Sequence, residues 1–433
     1  MSSMAFKLWK RVEIALILSV TSAVIGSCSA LLLKTLACVS NIRGQNGWLI
    51  IFIPVVGILT AFTYKKYGKG AQKGNNLIIE SVDKSNTDVP LRMAFMAFCF
   101  TALTHLTGAS AGREGTAVQI GGTLMKIAAV QLDAVFADVQ ANLDRSEYYI
   151  RQAASAGADL VLLPEFFTSA IGFSEKMLDV AIRDEQVPKL LNQWAAEYGV
   201  IIGGSYLAFD GENAYNKFAL VFPGGEVFEH KKDIPTQFEN CYYTNGDENN
   251  VLVTPAGNFG VAVCWEMIRY ETVKRIAGQV DLVLAGSCWW DLPTDTPPER
   301  EALRQYNQHL ACEAPVTLAK LLGVPVVYAT HCGTATALHF PDGEKTQTRR
   351  FVGSAQIING NGQVLVRKPF SEGGGFVMAE MSWNPSSRKK PDHFPARYWV
   401  PELPDSYIRA WETANPIGKQ YYNTVALPYY QNR

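Results

Sequence analysis

The stretch GREGTAVQIGGTLMKIAAVQLDAVFADVQANLD, residues 112–144, changes character in its middle. Up to Leu124 it is a glycine-rich loop running into a small-residue helix start. From Met125 it reads MKIAAVQLD, an apolar strand, and then takes on helical spacing. The first half belongs with the residues before it and the second with the residues after it. The boundary between Leu124 and Met125 therefore divides the chain into residues 1–124 and 125–433.

Charge respects the same boundary. Residues 1–124 carry 12 Lys and Arg against 5 Asp and Glu, or +7, and the rest carry 27 against 35, or −8. Such asymmetry indicates different surroundings for the two parts. The positive charge clusters beside apolar runs, a pattern that gives no support to a nucleic-acid partner. Three uncharged stretches lie in the first part: Ile14–Leu33, Trp48–Tyr64 and Met93–Ser110. About 20 apolar residues cross a hydrocarbon core as a helix, so an all-α membrane fragment is expected. Lys7, Lys10 and Arg11 before the first stretch, and Lys65, Lys66, Lys69 and Lys73 after the second, favour cytoplasmic flanks.

Within GASAGREGTAVQIGG (108–122), the glycines let backbone N–H groups converge at a helix start, where the dipole favours an anion. Glu114, flanked by Gly112, Arg113 and Gly115, is placed to act as a carboxylate gate or proton acceptor. An ordinary loop ending in a helix-capping glutamate has a similar pattern. The words GREGTAVQIGG and GNNLI (74–78) resemble the CLC chloride channel and antiporter family, with Glu114 in the place of its gating glutamate. Thr116, where that family more often has proline, points to the fluoride-exporting branch. The likeness spans only the first part of such a transporter, so an incomplete anion pathway is the alternative function here.

From Met125 onward, short apolar strands alternate with amphipathic helices. Strands are expected at 126–132, 159–166, 200–209, 281–287, 324–332 and 375–381, and helices at 139–158 and 186–199. Hairpins are expected at 216–233, with Pro-Gly-Gly in the turn, and at 250–266, with Gly257-Asn258 in the turn, and residues 354–368 are read as strand. Residues 297–323 read as helix broken near Pro315. Parallel and hairpin connections together predict a mixed sheet in a multi-layer α/β domain. Neither GxGxxG nor a P-loop occurs, HExxH is absent, and the six histidines are scattered. The sequence therefore implies no cofactor and no catalytic metal.

Three polar residues stand at or just beyond apolar strands: Glu165 in DLVLLPE, Lys232 in EHKKDIPTQFE and Cys264 in FGVAVCWE. Strand ends gather at one rim of an α/β sheet. A carboxylate, an ammonium and a thiol collected there form a reaction set. The carboxylate takes the thiol proton, the ammonium favours the thiolate, and the sulfur attacks an amide or nitrile carbon. Lys232 and the Trp265 backbone N–H would hold the negative charge that develops. Taken singly, each has a plain structural explanation: an inert core cysteine, a helix-terminal acid, one of two solvated lysines. The eight cysteines include no CxxC pair and need no disulfide framework.

The words LLPEFF, HKKDIPT and VCWE resemble the nitrilase, or carbon–nitrogen hydrolase, superfamily over residues 125–433, and MKIAAVQLD resembles the usual start of these proteins. The resemblance implies a four-layer α-β-β-α sandwich that pairs with a second copy through its helices, with Glu165, Lys232 and Cys264 catalytic. It selects Lys232 over Lys231 by the spacing to Pro235. It also implies a second glutamate near the centre; Glu239 in PTQFE stands at a suitable place to position substrate or lysine. The expected substrates are a small amide or nitrile and water. Trp265, Trp289, Trp290 and Tyr242 are candidates for an apolar pocket. A papain-like pairing of Cys264 with His230 or His331 is the competing thiol chemistry. Membrane association through residues 1–124, a hydrolase domain on the cytoplasmic side and a homo-oligomer complete the expectation.

Overall fold

The apolar run that begins at Met125 is realised as strand β1 (Met125–Leu132) in a computed structural model. The structure describes residues 46–67, 92–107, 125–246, 249–383 and 388–433, with short helical pieces at 34–35, 38–39 and 42–43. The apolar stretch 14–33, the GNNLI word, and Gly112, Arg113, Glu114 and Gly115 lie outside the described residues. The chain divides into two units, Met1–Thr123 and Leu124–Arg433.

In the first unit, a 3-10 turn (Gly47–Phe52) leads into helix α1 (Ile53–Tyr67). Together they form an apolar helix of 21 residues with mean hydropathy 2.0, long enough to cross a membrane. Ile51, Val55, Ile58 and Phe62 on it are exposed, an arrangement suited to lipid or a protein neighbour rather than water. Helix α2 (Arg92–Thr107) is apolar over the shorter stretch Phe95–Thr107. It packs beside α1, with the Phe100 and Tyr64 rings 5.8 Å apart.

The second unit is a mixed α/β structure built on one branched sheet. After β1 come helix α3 (Val139–Ser155), β2 (Leu160–Leu162), the two-residue β3 (Ile182–Arg183), α4 (Gln186–Tyr198), β4 (Ile201–Phe209), β5 (Ala214–Val221) and β6 (Val227–Lys231). Next are β7 (Val251–Thr254), β8 (Gly257–Val261), α5 (Tyr270–Ile276), β9 (Leu282–Ser287), β10 (Trp290–Pro293), α6 (Glu301–Leu322) and β11 (Val326–His331). The remaining elements are β12 (Thr334–Leu338), β13 (Thr346–Phe351), β14 (Ala355–Ile358), β15 (Val364–Lys368), β16 (Gly375–Met381), α7 (Asp405–Tyr421) and α8 (Leu427–Gln431).

The main sheet runs β6-β5-β4-β2-β1-β11-β9-β8-β7, with β16 antiparallel on β1 and β14 antiparallel on β11. Its two arms join where Gln131 and Leu132 of β1 pair with Thr330 and His331 of β11. Alternation along β1 explains the layering. Ile127 and Ala129 face a core shared with β9, β11 and the helices α5 and α6. Ala128, Val130 and Leu132 face a second core with α3 and α4. The larger of these, Ile127, Val130 and Leu132, each contribute roughly 1.5–3 kcal/mol when fully buried, so register is held from both faces.

Local chemistry sets the helix ends. The Asp138 carboxylate accepts from the Ala141 N–H to start α3, and α4 stops at Gly199, whose φ is +68°. Three expectations change. Residues 301–322 form one continuous helix despite Pro315, because Ala314, Pro315 and Val316 are buried and packing offsets the lost hydrogen bond. The 250–266 hairpin turns at Pro255-Ala256, since Thr254 already pairs with Gly257, whose φ of +126° suits glycine alone. Strand 159–166 shrinks to Leu160–Leu162. Nothing in the sequence pattern indicated the small β10-β13-β12 sheet or α7. The final stretch packs on the second unit: Tyr422, Ala426 and Tyr430 are buried in the α3/α4 core.

Candidate active site

Four of the parallel strands, β2, β8, β9 and β11, end at one edge, and the chain beyond them supplies the site. Glu165 lies three residues past β2, Cys264 three past β8, and Cys288 comes directly after β9. Lys232 stands at the end of β6 and donates its backbone N–H to the Asn216 carbonyl at 2.9 Å, extending that strand pair by one bond. The β2 turn and β9 approach so closely that a Cβ on Gly286 would stand 2.9 Å from the Glu165 nitrogen.

Glu165 and Lys232 have no solvent exposure and form an ion pair of 2.8 Å. Lys232 Nζ also donates to Glu239 Oε2 at 2.6 Å. Glu165 is further fixed by the Asn216 side-chain amide on Oε1 and by the Cys288 N–H on Oε2, each at 2.8 Å. Glu239 accepts in addition from the Thr236 N–H at 3.0 Å and from the Tyr243 hydroxyl. Asn216, Tyr243 and the Cys288 amide were missed by sequence reasoning. Asn216 sits inside an apolar strand and Tyr243 beside other aromatics, so only contact in space marks them.

Burial pushes the Glu165 carboxyl up to about 6; the Lys232 charge opposes that rise and Glu239 adds to it. Burial alone would lower the Lys232 ammonium, but the two carboxylates outweigh it and hold it well above its ordinary value. Burial, then the Glu165 charge, push the Cys264 thiol well up, with Lys232 pulling the other way. The expected stabilisation of a resting thiolate by Lys232 is thus outweighed, and Cys264 rests as a thiol.

Cys264 adopts φ of +53°, and Phe166, the neighbour of Glu165, φ of +50°. Left-handed backbone at a non-glycine residue costs on the order of 1–3 kcal/mol and clusters at functional sites. Cys264 opens a 3-10 helix (Cys264–Ile268), and Trp265 stands ahead of its first closed bond, Glu266 N–H to Val263 O at 3.1 Å. The Trp265 N–H therefore belongs to the free first turn.

A third buried carboxylate, Glu266, ties the two loops together. Glu266 accepts from the Val263 N–H at 2.7 Å, from the Asp233 N–H at 3.0 Å and from His230 Nε2 at 3.1 Å. Asp233 in turn pairs with Arg269 and Arg275. The loop carrying Lys232 and the turn carrying Cys264 are thereby clamped to one side chain. Despite its burial, Glu266 is held well below the ordinary carboxylate range by His230 and Arg269.

Cys264 and Glu239 line a cavity of about 320 Å³, while Glu165 and Lys232 lie behind its wall. Trp265, Trp289 and Trp290 line it as expected; Tyr242 does not, being buried with its hydroxyl bonded to the Ser174 backbone. Helix α7 supplies Tyr407 and Ala410 to the wall. Tyr407 and Trp411 stack on the Trp265 ring with interplanar angles of 9° and 7°.

A family model described as carbon–nitrogen hydrolase matches residues 126–383, more than half of the chain. The chain belongs to the carbon–nitrogen hydrolase family. A model described as voltage gated chloride channel matches residues 56–158. The end of that match overlaps β1 and α3, which the structure builds into the hydrolase sheet and core. Nitrilase 1 of Arabidopsis thaliana is 26% identical over 307 residues, 62% of this chain and 82% of that protein. A chloride/fluoride channel protein of Pseudomonas syringae pv. tomato is 45% identical over 111 residues, covering 26% of this chain and 24% of that protein. The chain thus spans about a quarter of the channel relative. The solved amidase from Nesterenkonia sp. is similar with a TM-score of 0.46 and 23% identity, covering 60% of this chain and 90% of that one.

His230 and His331, the two histidines of the competing thiol chemistry, are engaged elsewhere. His230 is engaged by Glu266 and by the Asn249 carbonyl. His331 donates Nε2 to the Glu165 carbonyl at 2.6 Å and is pushed down to about 4 by burial. Both support the walls of the site.

Proposed function

We propose that this carbon–nitrogen hydrolase cleaves a small amide or nitrile through a covalent Cys264 intermediate, with Glu165 as proton carrier and Lys232 as charge stabiliser. The observation that supports the reading best is the buried Glu165–Lys232–Glu239 ion cluster, 2.8 and 2.6 Å, acting on a buried thiol in a cavity wall. For an amide, Cys264 Sγ bonds to the carbonyl carbon as its proton passes to Glu165. The carbonyl π electrons move to oxygen, which meets Lys232 and the Trp265 N–H. Lys232 Nζ has three donors and spends two on carboxylates, leaving one for this oxyanion. One such donor is worth about 3 kcal/mol in the barrier. Glu165 returns the proton to the nitrogen, ammonia leaves and a thioester remains. Water, deprotonated by Glu165, then adds to the thioester and releases the acid and the thiol.

The two arms of the sheet, with α3 and α4 over one and α5 and α6 over the other, support a four-layer α-β-β-α sandwich. Pairing with a second copy through those helices, and a cytoplasmic hydrolase domain, belong to the same proposal. The apolar helix Gly47–Tyr67 and the channel-like match support membrane association for residues 1–124. Division of the chain into a channel-like piece, 1–124, and a hydrolase piece, 125–433, fits these features. Anion transport is the second reading, supported by the 45% identity to the channel protein.

The test is ammonia release by the full-length chain from short amides and nitriles, with the mass of the trapped thioester or thioimidate. Cys264→Ala should abolish both. Release that persists in Cys264→Ala refutes the covalent mechanism.

A further inference from the structure

The cavity beside Cys264 carries more positive charge than its own walls neutralise. Glu239 is paired with Lys232, Asp291 with Arg350 at 2.8 Å, and His339 with Asp342 at 3.0 Å. Two wall arginines remain, Arg300 and Arg349. Arg349, on β13, gives Nε and Nη2 to the Gln347 side-chain oxygen at 3.2 and 2.9 Å. Among the described residues no carboxylate forms an ion pair with it, and its Nη1 makes no hydrogen bond to the protein. Its surroundings are unfavourable to its charge: burial, joined by the like charge of Arg300, outweighs the pull of Tyr407, Asp291 and Asp295. A half-buried guanidinium in a reaction cavity without a counter-ion calls for an anion from outside the protein.

We propose that Arg349 binds a carboxylate on the substrate, so that the preferred substrate is an amide or nitrile bearing an acid group at its far end. The inference rests on the hydrolase reading for its substrate class, and it adds which member of that class the cavity takes. A guanidinium presents parallel N–H donors that match a carboxylate fork, and Nη1 and the second Nη2 hydrogen are the available pair. Trp289, Trp290 and Leu292 line the same cavity and suit an apolar spacer between the two ends. The cavity, at about 320 Å³, lies at the small end of ligand sites and limits the spacer's length.

Two measurements on the full-length chain test this. The first compares kcat/KM for succinamate, glutaramate and adipamate with that for butyramide, valeramide and hexanamide. A hydrogen-bonded charge pair is worth roughly 10- to 100-fold, so the best carboxylate should exceed its neutral partner by tenfold or more. Arg349→Gln should cut that ratio at least tenfold, and Arg349→Lys should restore part of it, which separates charge recognition from loss of folding. The second titrates glutarate, which has no scissile bond, into Cys264→Ala and reads the fluorescence of the cavity tryptophans. Binding should saturate, weaken with salt, and fall at least tenfold when Arg349→Gln is added. Absence of ammonia from every amide and nitrile would sink the hydrolase reading, and glutarate binding would still decide the anion site. A wild-type ratio near one, a ratio unmoved by Arg349→Gln, or no saturable glutarate binding overturns the proposal.

Discussion

Replacing Glu266 by Gln tests whether one buried carboxylate holds the Lys232 loop and the Cys264 turn in register. In the native site it accepts from Val263 N–H, Asp233 N–H and His230 Nε2. Glutamine keeps one accepting oxygen but places an NH2 where an acceptor was, against a backbone N–H or against His230. Breaking a buried charged pair by removing one partner costs about 3–5 kcal/mol. A domain of this size loses roughly 2 °C or more of Tm per kcal/mol, so a fall of about 6 °C or more is expected. Displacing the Cys264 turn by an ångström would also lower turnover on the order of 100-fold. The folded pKa of Glu266 is depressed, so its stabilisation is complete above the unfolded value of about 4.3 and is lost as pH falls through the folded value. Wild type should therefore lose stability in acid below about pH 4, and Glu266→Gln should show a shallower loss there. Thermal unfolding of both chains from pH 3 to 8, with ammonia release at pH 7.5, provides the readout. A Tm within 1 °C of wild type together with unchanged turnover would refute the clamp.

Other predictions concern the reaction centre and its roof. If Glu165 is the base, turnover should decline as pH falls through about 6, where its carboxyl is protonated; that limb should be missing from the residual activity of Glu165→Gln. Asn216→Ala removes one of the hydrogen bonds on Glu165 Oε1 and should lower kcat about tenfold with little change in KM, measured by steady-state kinetics. Trp411→Ala removes a ring stacked on Trp265 and should cost about 1 kcal/mol from the ring pair in addition to the lost burial, read by urea unfolding, with a raised KM. Flux measured in vesicles containing the full-length chain should depend on Glu114 and not on Cys264 if residues 1–124 conduct anions.

The sequence alone shows a change of character at Met125, because a change in charge and in apolar period is a one-dimensional signal, and the compact units of the structure divide close to it, at Thr123/Leu124. It also determined where Glu165, Lys232 and Cys264 lie in the chain, since each stands beyond an apolar strand in a distinctive local word. Tertiary structure decided what those residues experience. Whether Cys264 rests as thiol or thiolate depends on burial and on charges more than twenty residues away along the chain, which no local pattern encodes. The partners Asn216, Tyr243, the Cys288 N–H and Glu266 become visible only when strands distant in sequence end at one edge. The same holds for Arg349, which comes from the polar strand TQTRRF and has no alternation to announce it. It also holds for α7, whose Tyr407 and Trp411 complete the Trp265 stack. Periodicity reports which face of an element is buried; it carries no information about which other element covers that face.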